Sequence, residues 1–311
     1  DVIHEGHLFF IKEAKKQDSD LNEHLESLEK IKNILKNILK EIKKEPYPYL
    51  AILVADGDRM GQAISAIESL EQHKKFSSKL SEFAGMAREI VQKHNGCLVY
   101  SGGDDVLAFL PLDKCIQASK DLHDKFADLM NKIGEIEKKP TLSVGIGIGH
   151  CLESLEYLLK LGRDAEKLAK NGTKNDGSDD RDGLAVCVQT RGADTVEIRG
   201  QWNDGIAKRL ERWTELLFGD FLPDSIPFDL HQLSKDYEDW QNLDSEIIHE
   251  DFKRLIKKKR NKGKSIPAKT MEEILKNIQD KESLKNTAKE LIVARYLVNG
   301  TFQIQSGEDK I

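Results

Sequence analysis

The sequence lacks the features that would link it to a membrane or to a disulfide framework. No apolar run approaches the roughly 18 residues that a membrane-spanning helix requires, and no signal-peptide pattern opens the chain. Only four of the 311 residues are cysteine, and no two of them form a CxxC pair. We therefore expect a cytoplasmic protein with no membrane partner, whose cysteines are small buried residues in a reducing compartment and hold no zinc.

The chain also has no excess of basic residues over acidic ones. The formal net charge is −6, which argues against a protein that coats nucleic acid non-specifically, because such binding depends mainly on basic side chains against phosphate. One local exception is KKKRNKGK at residues 257–264. This run is either a solvated helix end with its loop or a contact with RNA or a partner protein, and the sequence leaves both open.

What the sequence does contain is abundant surface charge together with enough apolar residues for a core. Charged residues make up 33% of the chain and hydrophobic residues 39%. That balance is typical of a globular protein rich in surface helix, and the length is enough for one large or two ordinary domains.

Apolar periodicity divides the chain into three parts. Residues 1–45 predict an amphipathic lead-in helix or linker, which ends where Pro46 and Pro48 oppose its continuation. Residues 46–200 alternate strand-like and helix-like runs. Residues 201–311 are helical in pattern, so we place a domain boundary near residue 200.

The middle part predicts an α+β fold of the ferredoxin-like class, the layout of palm and nucleotide-cyclase domains. Its pattern is a split βαβ unit with a hairpin in the middle, which gives one sheet with helices on one face. The predicted order is a strand at 49–56, a helix to about His94 with a break near residue 73, a hairpin at 99–110, a helix at 113–133, a strand at 141–150, a helix at 152–170, and strands at 184–190 and 195–199.

Glycine recurs at every second position of the predicted strand TLSVGIGIGH. Gly145, Gly147 and Gly149 leave one face of this strand without side chains. We expect another backbone or a ligand to approach that face closely.

Acidic residues stand at two places that this fold brings together. Asp56 ends the apolar strand YLAILVAD, and Asp104 and Asp105 lie in the turn of the hairpin VYSGGDDVLAFL. A turn needs only one acid, and two adjacent carboxylates repel one another. Converging carboxylates suit Mg²⁺ or Mn²⁺, and two such ions about 4 Å apart can activate a hydroxyl and stabilise a leaving pyrophosphate.

Three glycines fit the same interpretation. The backbone carbonyl of Gly57 could add an oxygen ligand beside Asp56, while Gly102 and Gly103 let a triphosphate approach backbone N–H groups. The helix predicted to begin near Met60 would add a positive dipole end. The sequence therefore predicts a site for two metal ions and a nucleoside triphosphate.

Four segments in this order carry a family resemblance: LVADGDRMG, VYSGGDDVLAF, LSVGIGIGH and RDAEKLAK. They resemble the C-terminal palm of the large subunit of type III CRISPR effector complexes. The segment after VEIRGQW resembles the helical domain of that subunit, especially in the Cmr (type III-B) branch. The resemblance covers roughly residues 45–300. The HD nuclease-like region, first palm and zinc site usual in the family are not identified in this sequence.

The resemblance implies an activity and assigns residues to it. Members of the family polymerise ATP into cyclic oligoadenylates when their complex, with its other subunits and its crRNA, engages target RNA. Carried over, Asp56, Asp104 and Asp105 would bind the catalytic metals, with Asp58 as a helper at the nucleotide. The nucleotide pocket would be lined by Ser101, Gly102 and Gly103. Lys170 resembles a lysine that related GGDEF cyclases direct at phosphate.

Other functions stay open at this stage. A GGDEF-type dinucleotide cyclase would have Glu and Phe after GGD, where this chain has Asp105 and Val106. A template-copying polymerase would need fingers and a thumb, for which the chain has no room. A catalytically silent scaffold would have no need to hold like charges together. A palm that joins AMP to another small molecule would use the same metal site.

The dipeptide His123-Asp124 lies in an amphipathic helix without other histidines at metal spacing, and we predict a surface position for it. The HEGH segment at residues 4–7 lacks the HExxH spacing and predicts no site.

Overall fold

The computed structural model describes residues 29–34, 36–37, 40, 47–133, 139–171, 180–190, 194–241, 243–259 and 264–300. Residues Tyr49–Thr301 form one compact unit, and Asp1–Pro48 with Phe302–Ile311 are assigned to another. The described part of 29–40 is helical, and the rest of the predicted lead-in helix lies outside the described residues. No helix in the described ranges is both long enough and apolar enough to cross a bilayer.

The larger unit begins with a six-stranded sheet whose strands lie in the order β2-β3-β1-β4-β5-β6. These strands and the helices between them are β1 (Tyr49–Asp58), α1 (Met60–Ser65), α2 (Leu70–Lys93), β2 (Cys97–Gly102), β3 (Asp105–Leu110), α3 (Leu112–Asn131), β4 (Thr141–His150), α4 (Leu155–Lys170), β5 (Gly183–Val188) and β6 (Val196–Gln201). Strand β1 pairs antiparallel with both β3 and β4, and α4 connects β4 to the parallel strand β5. The predicted α+β class with a ferredoxin-like arrangement is confirmed. The prediction of cover on one face of the sheet needs correction, because consecutive residues of β4 and β5 are buried and both faces of these strands are therefore covered.

The central strands are apolar because both of their faces are covered. Every residue of β5 is buried, as are Leu142–His150 of β4. A Cβ on Gly145 would stand 2.0 Å from the backbone nitrogen of Glu166, and one on Gly147 would stand 2.6 Å from that of Gly162. The prediction that another backbone approaches the glycine face of this strand is therefore confirmed, and that backbone belongs to α4.

The helices that follow the sheet have a core of their own. They are α5 (Ile206–Phe218), α6 (Ile226–Asp236), α7 (Ser245–Lys259), α8 (Ala268–Lys276) and α9 (Lys281–Asn299). Their buried cluster includes Trp213, Leu230, Phe252, Ile274 and Leu291. Helix α9 also contacts β6 and α3, so the sheet and the helices belong to the same compact unit. The boundary near residue 200 stays a prediction.

Two sequence-based details need correction. The predicted helix up to His94 is interrupted at residues 66–69 rather than near residue 73, because Ser69 caps α2 by accepting a hydrogen bond from the Gln72 N–H.

Of the four cysteines, Cys115 and Cys187 are buried as expected, and burial raises the pKa of each thiol to about 12. The other two cysteines, Cys97 and Cys151, are exposed.

The basic run at residues 257–264 is partly used within the chain. Lys259 Nζ donates to Asp229 Oδ2 at 2.6 Å, and Lys264 Nζ donates to the Gly219 carbonyl at 2.8 Å. Lys257 and Lys258 are exposed, and residues 260–263 lie outside the described part of the chain.

Candidate active site

The end of β1 and the tip of the β2–β3 hairpin meet, as the fold prediction requires. Asp56, Gly57 and Asp104 line one cleft of about 550 Å³. A Cβ on residue 57 would stand 2.6 Å from Asp104 Oδ2, so glycine at this position is what allows the hairpin tip to approach β1. Two acids that are 48 residues apart in sequence therefore share one surface.

The hairpin tip has the geometry of a tight two-residue turn. Gly102 pairs with Asp105 across the hairpin, which leaves Gly103 and Asp104 as the two central residues. Gly103 has a φ of +70°, a conformation that glycine adopts at little cost in the first central position of such a turn. This backbone conformation places the Asp104 side chain toward the cleft.

Asp105 lies beside the cleft and not among the residues that line it. It starts β3 and is exposed. Its charge is nevertheless felt by its neighbour, because burial and the negative charge of Asp105 raise the pKa of Asp104. A cation bound beside Asp104 would stabilise its ionised carboxylate and offset the repulsion from Asp105.

Basic side chains complete the lining of the cleft. Arg59, Lys170 and Arg181 surround the two carboxylates. Lys170 Nζ pairs with Asp56 Oδ2, and it also lies 2.8 Å from Glu166 Oε1, one turn earlier on α4. Burial and the Arg181 guanidinium lower the pKa of Lys170 to about 8, while the two carboxylates favour its charged form.

Asp58 occupies a different environment from the one predicted for a helper at the nucleotide. Its side chain is fully buried behind the cleft. Thr141 Oγ1 donates to it at 2.7 Å, Ser143 Oγ at 2.8 Å and the Asp182 N–H at 3.1 Å. Burial raises the pKa of Asp58 although these hydrogen bonds oppose the shift. The carboxylate therefore joins β1, β4 and the start of β5, and it does not reach the cleft.

We expect Asp58→Ala to lower the free energy of unfolding by about 3 kcal/mol, because two hydroxyls and one N–H would lose their buried acceptor. Urea denaturation of the purified chain measures this loss. Asp128→Ala, which alters an exposed acid of α3, should change stability by no more than about 0.5 kcal/mol. Equal stabilities for the two variants would contradict the structural role of Asp58.

The remaining residues predicted to line a nucleotide pocket lie along the hairpin and outside the cleft lining. Ser101 Oγ donates to the Ala84 carbonyl at 3.2 Å, which holds β2 against α2. A Cβ on Gly102 would stand 2.0 Å from the hydroxyl of Tyr100, whose side chain folds back over it. Gly103 faces open space. A role for these three residues toward a nucleotide stays a prediction.

The sequence reasoning missed Arg181 and the residues that position it. Asp182, the next residue, has a φ of +63° and donates its N–H to Asp58. His123 Nε2 lies 2.8 Å from Asp182 Oδ1, and the imidazole stacks on Trp202 at 4.5 Å. The surface position predicted for the His123-Asp124 dipeptide therefore holds for Asp124, which is exposed, but not for the largely buried His123 side chain. The sequence feature that could have pointed to Arg181 is the run of polar residues immediately before the strand LAVCV.

The cleft fits a hard divalent cation through the chemistry of its donors. Asp56 and Asp104 offer carboxylate oxygens, and Gly57 lies between β1 and the hairpin tip in the same lining. Within the described ranges, no group of three or more His, Cys, Asp or Glu side chains is close enough together to hold a metal ion. A cation here would take its other ligands from water and phosphate, which is the usual environment of Mg²⁺.

Comparison with known proteins shows which family the part of the chain around this site resembles. The family model described as Cas10/Cmr2, second palm domain, matches residues 49–178, which include both carboxylates of the cleft and Lys170. Residues 49–178 are therefore similar to a Cas10/Cmr2 second palm domain. The resemblance predicted from the sequence is confirmed.

Two curated proteins match this chain over part of their length. The CRISPR system Cmr subunit Cmr2 of Pyrococcus furiosus is 30% identical over 174 aligned positions, covering 47% of this chain and 20% of that protein. The corresponding subunit of Saccharolobus solfataricus is 38% identical over 55 residues, covering 18% of this chain and 5% of that protein. The chain thus spans about a fifth or less of these relatives.

A solved structure extends the similarity beyond the Cas10/Cmr2 palm. The type III-B Cmr-beta complex in its apo state contains a chain that aligns with 85% of this one, over 40% of its own length, at a TM-score of 0.55 and 13% identity. At that identity the match shows a shared fold. Its coverage exceeds the palm, so the shared fold includes helices that follow the sheet.

Proposed function

We propose that this chain is the nucleotidyltransferase palm of a type III CRISPR effector complex, which converts ATP into cyclic oligoadenylate when the complex engages target RNA. The observation that carries the proposal is the shared cleft, where Asp56 and Asp104 face Arg59, Lys170 and Arg181. Carboxylates bind divalent cations, and basic side chains bind phosphate oxygens. A metal–triphosphate complex presents both kinds of partner, and an organic anion alone would leave the carboxylates unmatched.

The reaction requires one bond exchange at phosphorus. A ribose hydroxyl oxygen forms a bond to the α-phosphorus of ATP, the bond from that phosphorus to the β-phosphate bridging oxygen breaks, and pyrophosphate leaves while the hydroxyl proton passes to solvent. Bound Mg²⁺ or Mn²⁺, two ions in this proposal, would lower the cost of the negative charge that develops. Asp56, Asp104 and the Gly57 carbonyl would hold the ions, and Asp105 would add negative charge beside them.

Lys170 has a specific part in this proposal. Its ammonium forms an ion pair with the Asp56 carboxylate, and it forms a second ion pair with Glu166 on the same helix. When Asp56 binds a metal ion, Lys170 keeps Glu166 as a partner and directs its remaining N–H groups at phosphate. The lysine would thus exchange one anion for another without leaving the cleft.

Titration calorimetry of the full 311-residue chain with ATP tests this proposal. We expect ATP to bind only with Mg²⁺ or Mn²⁺ present. Lys170→Gln should weaken ATP binding about tenfold while leaving binding of Mn²⁺ alone equal or tighter, because the variant loses a phosphate partner and frees Asp56. Asp56→Asn should weaken both, and Asp128→Asn should weaken neither. ATP binding that ignores the metal would contradict the proposal.

Product formation should need more than this chain. In-line transfer between two nucleotides requires a second binding surface for the acceptor, which the family resemblance assigns to another palm. We therefore expect the chain alone to be silent or weakly active, and the assembled complex with crRNA, target RNA, Mg²⁺ and ATP to release oligoadenylates detectable by mass spectrometry. A product that contains another acceptor would favour the alternative of a palm joining AMP to a small molecule.

A further inference from the structure

A groove on the helical part of the molecule has the composition of a nucleic-acid surface. Helices α6 and α9 run antiparallel along it: Phe228 of α6 packs against Arg295 of α9, and Glu238 just after α6 lies near Lys281 and Lys285 at the opposite end of α9. The groove contains a cavity of about 300 Å³ near this second end. We call it the α6–α9 groove.

Positive charge dominates the middle of the α6–α9 groove. Lys235, Lys281 and Lys285 line the cavity, together with Glu238 and Glu282. His231 also lines it, and burial followed by the positive charges of Lys235, Lys289 and Lys285 lowers the pKa of the imidazole. The cavity lining thus carries three lysines against two glutamates, and Lys289 adds a positive charge near His231. The His231 Nδ1 atom is buried without a hydrogen-bond partner.

Part of this charge is held in place by the fold. Lys281 Nζ donates to the Glu238 carbonyl at 2.8 Å and to the Trp240 carbonyl at 3.3 Å. Two of its three N–H donors are thereby used and the third is available to a ligand. Lys285 Nζ lies 4.0 Å from Glu238 Oε1, which is beyond hydrogen-bond distance.

Aromatic rings stand at both ends of the positive stretch. Phe228 is 50% exposed, and the Arg295 guanidinium lies over its ring at 5.3 Å from the centroid. Trp240 is 49% exposed at the other end and packs edge-on against the buried Tyr237. Rings that are anchored on one side and open on the other can stack on bases.

We propose that the α6–α9 groove binds a segment of single-stranded RNA, with its lysines on backbone phosphates and Phe228 and Trp240 on bases. From Lys281 to Arg295, α9 spans on the order of 20 Å, which accommodates several nucleotides. A small anion would need the cavity alone and would make no use of the two rings. The groove contains neither Asp56 nor Asp104. RNA binding in the groove is therefore independent of the proposed nucleotide transfer, and either proposal can be wrong while the other is right.

The test measures binding of a fluorescently labelled oligouridylate of about 12 nucleotides to the full chain by anisotropy, without ATP or divalent metal, over a series of salt concentrations. Lys235→Gln with Lys285→Gln should weaken binding about tenfold or more. The slope of log affinity against log salt should fall by about 1.4, because two phosphate contacts are lost. Lys235→Arg with Lys285→Arg should restore both.

Phe228→Leu separates an RNA strand from a simple anion. It keeps an apolar side chain but removes the stacking face, so affinity should fall about fivefold or more with an unchanged salt slope. The matched control is Lys120→Gln with Lys208→Gln, two exposed lysines on α3 and α5, which should bind like the parent. Thermal melting confirms that each variant is folded.

Three results would overturn the proposal. An equal loss in the control pair would mean that overall charge alone governs binding. Unchanged affinity in Phe228→Leu, with inorganic phosphate displacing the RNA at millimolar concentration, would make the groove an anion site only. Unchanged RNA affinity in the groove pair, with loss of binding to another complex subunit, would make it a protein interface.

Discussion

Asp104→Asn with Asp105→Asn should reduce nucleotide polymerisation by the assembled complex at least about 100-fold while leaving the fold intact. The proposed metal ions would lose negatively charged ligands at the hairpin tip, and the triphosphate would lose the metal ions that bind it. Loss of such electrostatic stabilisation typically has an effect of this size. Stability should be equal or slightly higher, since burial and the charge of Asp105 make the ionised form of Asp104 costly in the folded state. Asparagine conserves the volume and keeps an oxygen that can accept the Gly57 N–H.

The measurement pairs a melting curve, with and without Mg²⁺ and ATP, with a product assay on the same preparation. The parent should gain thermal stability when Mg²⁺ and ATP are added, and the double variant should not. Asp128→Asn with Asp224→Asn removes the same charge from two exposed positions and should keep both the activity and the ligand-induced shift. If Asp104→Asn with Asp105→Asn forms product at nearly the parental rate, the GGDD segment is an ordinary turn and not a metal site. Target-RNA binding should persist in all of these proteins.

The sequence predicted the sheet because its strands have unmistakable patterns. YLAILVAD and TLSVGIGIGH are apolar on both faces, and such runs occur at the centre of a sheet. The split βαβ order then places the end of β1 beside the hairpin tip, so the meeting of Asp56 with Asp104 follows from topology alone. The same logic failed for Asp58, because the sequence does not show that this side chain points away from the cleft toward Thr141 and Ser143.

Other parts of the site depend on contacts that no local pattern encodes. Arg181 enters the cleft because Asp182 adopts a positive φ and is held by Asp58 and His123, residues that are more than 50 positions away along the chain. The pairing of Lys170 with Asp56 likewise depends on how closely α4 packs against the sheet. Distances between elements, rather than the elements themselves, are what the sequence leaves undetermined.

That packing distance makes Gly145→Ala the substitution with the largest expected structural effect. The added methyl group would stand 2.0 Å from the Glu166 nitrogen and 2.4 Å from the Ala165 carbonyl carbon, and both are backbone atoms of α4 that cannot rotate away. Relief requires α4 to move off β4 or β4 to distort, and overpacking of this kind costs about 3 kcal/mol or more. Urea denaturation should show this loss directly.

The same displacement should impair the site. Glu166 is one of the residues pushed outward and Lys170 lies one turn further along the helix, so Gly145→Ala should also weaken ATP binding in whatever fraction of the protein remains folded. Gly85→Ala is the matched control: it lies within α2, nothing stands within 4 Å of its added methyl group, and alanine favours helix, so stability should rise by about 0.5–1 kcal/mol. If Gly145→Ala is as stable as the parent and binds ATP equally well, the close approach of α4 to β4 is not what positions Lys170 in the cleft.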